Sequence, residues 1–339
     1  HEEEEDNAAI AKGSAESVRT ITNHKDSCRT ARFLYHESDG SAVRIVSAAA
    51  NGFAVLSDVE TGKRIWRAKL NSGGNALLPL GGDRFVVGDD DGCVRLYDVR
   101  KKGPAVEYTE NSDYISDLAL GPDGSICATS GDGTLAIYNL KKAGEKGLVA
   151  MSDFQEDEFL SLSIVKDGTK VVCGSQTGVL CLFSWGNFGD QNDRIRGHPM
   201  SVDAMVRISE DGILTGASDG RIRVVSIYHG EHANSVLGYL GDSVNSPVER
   251  LALSGDGELV ASASHDQPAV QLWRTRAAHE LLQAGKNEVV DGVVRARDDD
   301  LDSSDEDVPK RKRHKKQQKA AQVKINDRKK QASMFFSAL

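Results

Sequence analysis

The chain has 339 residues, 39% of them hydrophobic, with 33 glycines against 7 prolines; this is apolar surface enough for one large domain, in a composition suited to short strands and tight turns. No apolar run approaches the roughly 18 residues of a membrane-spanning helix, and the start HEEEED lacks the layout of a cleavable signal, so a soluble intracellular protein without a membrane partner is expected. The net charge of −9 is unevenly held, −5 over residues 1–16, −7 over the middle and +3 over residues 298–339, and an acidic middle makes a poor general surface for nucleic acid.

Residues 1–16 read as an acidic segment, and residues 17–22 (SVRTIT) as a strand. One pattern then recurs: an apolar strand, a turn, a small-residue strand, a D-G or related turn, and a strand ending beside Asp, Asn or Ser. Aligned at the second turn, the units read ANGFAVLSDV (50–59), DDGCVRLYDV (90–99), GDGTLAIYNL (131–140), QTGVLCLFSW (176–185), SDGRIRVVSI (218–227) and the looser HDQPAVQLWR (265–274). Their end positions Asp58, Asp98, Asn139, Ser184, Ser226 and Arg274 lie 40, 41, 45, 42 and 48 residues apart, around the roughly 40–45 residues of a four-stranded propeller blade. The spacing predicts an all-β, WD-type β-propeller over residues 17–275. Asp91, Asp132, Asp219 and Asp266 fall at the second turn of their units, where aspartate and glycine accept tight-hairpin backbone angles and a carboxylate can bond nearby backbone; they resemble the structural aspartates of WD repeats. His24 and His198 stand where that repeat family carries the histidine of its G-H pair, which implies a hydrogen-bonded structural role.

Other residue groups read as scaffold. The five cysteines are odd in number and show no CxxC pair, so neither a disulfide framework nor a metal site is expected. Ser264, His265 and Asp266 have the residue types of a hydrolase triad, but neighbours on a strand face opposite ways and cannot form one relay. The glycine pairs of residues 71–82 lack the lysine of a phosphate loop. No enzyme, cofactor or small-molecule substrate is expected. Tyr97, Asp98, Val99 and Arg100 resemble the W-D-x-R box by which some propellers dock on a cullin-ligase adaptor, with tyrosine for tryptophan; an arginine there can offer a planar fork to a partner carboxylate.

After Arg274 the run RAAHELLQAG reads as a short helix in a linker over residues 276–297, with no outer strand for the sixth unit. SVRTIT could supply that strand and close six blades, or be the remnant of a seventh blade upstream; the start at His1 rather than Met favours an absent preceding segment. Residues 298–339 are expected to be disordered. DDDLDSSDED (298–307) carries Ser303 and Ser304, each with an acid three residues on, a setting for an acid-directed kinase. Lys310, Arg311, Lys312, Arg313, Lys315 and Lys316 form a nuclear-localisation block that would also touch RNA phosphates weakly and without sequence preference. The final MFFSAL holds Phe335, Phe336 and Leu339 as a candidate docking peptide.

Four stretches go beyond generic blade patterning: SGDGTLAIYNLKK (130–142), VVCGSQTGVLCLFSWGNFGDQNDR (171–194), LTGASDGRIRVVSI (214–227) and SPVERLALSGDGELVASASHDQ (246–267). Over residues 24–275 and at the terminal double phenylalanine the chain resembles the WD repeat-containing protein 55 family. The resemblance implies a seven-bladed, non-enzymatic scaffold, nuclear and nucleolar with a cytoplasmic fraction also allowed. It further implies action in ribosomal RNA processing and large-subunit production among pre-ribosomal assembly factors; the box at Tyr97, Asp98, Val99 and Arg100 carries the alternative, a cullin-ligase substrate receptor.

Overall fold

Strands in which both alternate sets of side chains are apolar or small cannot stand in a sheet with one wet face; they need a sheet packed on each side. That demand sets the architecture of the computed structural model, which describes residues 19–35, 42–228, 234–242, 246–267 and 269–290. The first blade is β1 (Cys28–Tyr35), β2 (Ala42–Ala49), β3 (Phe53–Asp58) and β4 (Arg64–Lys69). The second is β5 (Gly74–Pro79), β6 (Arg84–Asp89), β7 (Val94–Asp98) and β8 (Pro104–Tyr108), and the third β9 (Ile115–Leu120), β10 (Ile126–Ser130), β11 (Leu135–Tyr138) and β12 (Leu148–Met151). The fourth is β13 (Phe159–Val165), β14 (Lys170–Ser175), β15 (Leu180–Ser184) and β16 (Asp193–Ile195), and the fifth β17 (Val202–Ser209), β18 (Gly212–Ala217), β19 (Arg221–Ser226) and β20 (Ser235–Asp242). The sixth has three strands, β21 (Arg250–Leu253), β22 (Leu259–Ala263) and β23 (Gln271–Arg274), and is followed by α1 (Arg276–Val290). Each blade is an antiparallel meander, and together they form a β-propeller.

The end positions aligned in the sequence close the third strands or, at Asn139, directly follow one, and three of them cap the turn that follows. Asp58 accepts from the Thr61 amide (2.6 Å), Asp98 from the Arg100 amide (3.1 Å) and Asn139 from the Lys141 amide (2.9 Å), local turns that side chains of this length make with their own backbone.

The core lies in the seams between blades. Leu34, Val46 and Leu56 of the first blade meet Leu77, Phe85 and Val87 of the second, while the opposite face of the second blade, Val86, Val94 and Leu96, meets Ile115, Ile126 and Tyr138 of the third. Adjacent residues Val86 and Val87 thus serve different seams, and each large aliphatic or aromatic side chain withdrawn from water contributes roughly 1.5–3 kcal/mol. Trp66, Phe85 and Tyr97 add an aromatic triangle with centroids 5.4–5.7 Å apart.

In the third-to-fourth seam, the run WGNFG sits between β15 and β16. Trp185 closes on Gly121, Phe188 is buried among Cys127, Ile137 and Phe183, and the two rings meet edge-to-face at 5.3 Å. The Asp153 amide donates to the Gly189 carbonyl (2.6 Å), tying the insertion to the neighbouring blade.

The stretch read as a linker carries a helix that belongs to the core. Ala278 and Leu282 of α1 are buried with Leu214, Val224, Val248, Val260 and Trp273, and the Tyr228 hydroxyl donates to the Leu282 carbonyl at 3.2 Å. SVRTIT does not complete the sixth blade in the part that is described. Residues 19–26 contain no strand, and Asn23 reaches the first blade instead, donating to the Ser57 hydroxyl (2.8 Å) and the Gly62 carbonyl (3.2 Å). β23 therefore has an unpaired outer edge among the described residues. On β1, Phe33 and Tyr35 are 46% and 56% exposed.

Candidate binding surface

At one rim of the propeller, the turn between second and third strands in each of the first five blades meets two loops, the one entering its own blade and the one entering the next. Glycine permits this. At Gly133 (φ 76°) a Cβ would lie 2.5 Å from the Gln155 carbonyl oxygen, and at Gly178 (φ 86°) 2.3 Å from that of His198. Positive φ and the absence of a Cβ are both required there.

The polar residues of the rim knit turn to loop. Asp132 accepts from the Thr134 amide (3.0 Å) and hydroxyl (2.5 Å), and from the amide (2.7 Å) and hydroxyl (3.1 Å) of Ser112 in the entering loop. In the fourth blade the partners are exchanged: the acid is Asp157 in the loop, and the turn supplies Thr177, whose amide (3.1 Å) and hydroxyl both donate to it. In the fifth blade Asp219 accepts from both terminal nitrogens of Arg223 (3.0 and 2.6 Å) and from the Arg221 amide (3.1 Å). These bonds hold the Asp219 carboxyl below its usual range against the desolvation that would raise it.

In the second blade the carboxylate that holds the turn is not Asp91 but Asp89, two residues earlier. Asp91 is exposed and contributes its amide, to the Ser72 hydroxyl and to Asp89, both at 3.1 Å. Asp89, fully buried, also accepts from the Cys93 amide (2.9 Å) and from the Arg95 guanidinium, whose Nε donates to Glu107 at 2.9 Å. Arg95 and Arg223 occupy equivalent register positions, opposite Val87 and Thr215. Neither arginine was singled out from the sequence. The available signal was a cation set between two large apolar residues of a strand, with an aspartate four or six residues before it.

His24 and His198 each face a hydroxyl of the second strand, Ser47 (2.7 Å) and Thr215 (2.8 Å). Burial pushes His198 down to about 4, so it is a neutral structural group at pH 7. Asp266 lies in the most open of the turns. His265 contacts it through Nε2 at 2.9 Å and Glu249 through Nδ1, and these acids raise the imidazole above its ordinary value. Ser264 accepts from the Asp266 amide, and no bond joins it to His265 among the described residues.

The inner strands enclose a narrow channel lined by Arg32, Asn75, Ser116, Asp117, Asp203 and Arg250. Desolvation raises the carboxyls of Asp117 and Asp203, opposed at Asp117 by the Leu118 and Leu162 amides and by Arg32 and Arg250. No group of three His, Cys, Asp or Glu is placed to hold a metal among the described residues, and no helix among them is long and apolar enough to cross a membrane. The cysteines are free thiols; burial pushes Cys93 and Cys181 up to about 11. The loop entering the fourth blade is acidic with an apolar tip, Phe154, 64% exposed, following Asp153 and preceding Glu156, Asp157 and Glu158, and Met200, 52% exposed, stands out from the next loop.

At the opposite rim, Tyr97 is 1% exposed inside the seam. Arg100 lies at the surface, but its Nε and Nη2 both donate to Asp98 (2.8 and 2.7 Å), so much of the fork is engaged within the box. Ser303, Ser304, the basic block 310–316, Phe335, Phe336 and Leu339 lie outside the described residues.

Three comparisons locate the chain among known proteins. The WDR55 family model matches residues 8–277. WD repeat-containing protein 55 of Arabidopsis thaliana is 38% identical over 261 residues, covering 75% of this chain and 69% of the relative. The Rattus norvegicus and Homo sapiens proteins of that name are 36% and 34% identical, each over 77% of this chain and 65% and 66% of their own length. The chain thus spans about two thirds of the length of these relatives. A chain of the structure titled "Crystal Structure of Mitotic Checkpoint Complex" superposes with a TM-score of 0.63 at 14% identity, over 75% of this chain and 79% of that one, a likeness of fold alone. With the family match spanning all six blades and their characteristic insertion, the chain belongs to the WD repeat-containing protein 55 family.

Proposed function

We propose that this WD-repeat protein is a non-enzymatic scaffold of the nucleus and nucleolus, serving ribosomal RNA processing and large-subunit production by holding pre-ribosomal assembly factors. The observation that carries the reading is the charge layout. An acidic propeller is followed by six cations in the seven residues 310–316, so nuclear address and weak contact with RNA phosphates fall to the tail while the blades are left for protein partners. The rim supports a scaffold role, because its buried polar groups are spent on joining turns to loops, and its exposed apolar side chains, Phe154 among acids and Met200 on the next loop, suit protein contact.

The test is a deletion of residues 309–331 in cells, together with affinity purification of the intact chain. The deletion should leave the melting temperature unchanged and move the protein from nucleus to cytoplasm, and the intact chain should copurify with pre-ribosomal particles. Continued nuclear accumulation, or recovery of cullin-ligase subunits without those particles, would refute the proposal.

A further inference from the structure

Away from the loop rim, the seam between the second and third blades holds a cleft of about 500 Å³, bounded by the β5–β6 connection, the turn after β7, and Leu140. That volume is in the range of protein ligand sites. Beneath a mostly polar lining, Leu96, Val106 and Leu140 of the seam core form its floor. Its two carboxylates are already engaged, Asp83 by Arg44 and Asp98 by Arg100. Arg84 and Lys101 also line it, exposed and with no ion-pair partner among the described residues. Of the exposed residues next in the chain to lining residues, Lys102 and Lys141 add positive charge, while Glu107 is held by Arg95. The cleft is therefore cationic within a middle domain of net charge −7, and a concave site of one sign concentrates ions of the other.

Two anionic partners fit the charge, and the lining separates them. Sequence-tolerant binding of single-stranded nucleic acid uses exposed aromatic rings as stacking platforms. The cleft has none: no aromatic residue lines it, and the nearby rings of Tyr97 and Tyr108 are buried in the seams on either side of the second blade. An apolar floor beneath a cationic rim suits a peptide whose carboxylates meet Arg84 and Lys101 while a large apolar side chain covers the floor. We propose that this cleft binds an acidic peptide segment of a partner protein, with one apolar side chain seated on Leu96, Val106 and Leu140.

The probe is a labelled peptide alternating glutamate and leucine, with a photoreactive benzophenone at its central apolar position, added to the full chain. Binding is read by fluorescence anisotropy and the crosslink is mapped by mass spectrometry. Crosslinks should fall within residues 96–106 and at Leu140. The double variant Arg84→Glu/Lys101→Glu should weaken binding about tenfold or more, and Ala105→Glu, which sets a carboxylate on an exposed wall position, should weaken it without removing a cation. Lys25→Glu, at the loop rim, should bind as the wild type. Each position is exposed, and an unchanged melting temperature confirms the fold. Crosslinks mapping to residues 309–331, unchanged affinity of the cleft variants, or preferential displacement of the peptide from the cleft by an oligouridylate of equal charge would overturn the proposal.

Discussion

Replacing Asp89 by serine should be among the most costly single changes at the loop rim, and the reason also names its rescue. Asp89 is fully buried and accepts from the Asp91 amide, the Cys93 amide and the Arg95 guanidinium. Serine can keep one amide, as Ser130 does for Asp132 and Ser175 for Val179 at equivalent positions. It cannot balance Arg95, whose side chain is 4% exposed and would keep only Glu107. One unsatisfied amide costs about 1 kcal/mol and a half-paired buried cation about 2–3 kcal/mol, so Asp89→Ser should destabilise by about 3–4 kcal/mol. The third blade shows the alternative solution, Ser130 with Ala136 where the second has Asp89 with Arg95. Asp89→Ser/Arg95→Ala should therefore recover about 2 kcal/mol of the loss, measured as a coupling energy from urea midpoints of the wild type, both single variants and the double. Additive losses in the double variant would show that the ion pair does not hold the turn.

Four further outcomes are expected. The His198 imidazole, held down to about 4, binds its proton less readily folded than unfolded, so its contribution is complete above about pH 6.5 and is lost as pH falls toward 4, by about 3 kcal/mol in total; urea midpoints of His198→Gln should fall less over that window than those of the wild type. Asp132→Ala removes bonds to Thr134 and Ser112 and should lower stability by about 1–3 kcal/mol in the same assay. Phe188→Ala empties a buried position and should cost about 3 kcal/mol or more. Phe335→Ala/Phe336→Ala should leave melting and nuclear entry intact while weakening copurification with pre-ribosomal particles; undiminished recovery would remove the docking role of the terminal motif.

The repeats were legible because the hairpin between second and third strands imposes a glycine on nearly every unit, at one offset from an apolar run of fixed length. The sixth unit, HDQPAVQLWR, lacks that glycine and was correspondingly the loosest match. Helical patterning after Arg274 was visible too, but not the place of α1, since the partners of Ala278 and Leu282 come from strands up to about seventy residues earlier. The rim was read less well for a related reason. A search for aspartate at the turn finds Asp91, whereas the buried acid is Asp89, and only burial on both faces of the sheet tells them apart. Asp157 lies in the run QEDE and reads as one more solvated acid until the fold sets it against Thr177.

The exchange of acid and hydroxyl between the third and fourth blades also bears on how such a propeller can change over evolutionary time. Ser112 with Asp132 and Asp157 with Thr177 are the same lock with its halves transposed. Copying the third blade's turn into the fourth would place a carboxylate against Asp157, and the reverse copy would set Thr177 against Ser112 with no charge between them. Like charges so close repel, and either graft would break a turn that both parent blades make. The units share a backbone but are no longer spare parts for one another, so gene conversion between repeats would be penalised and each blade would drift together with its entering loop.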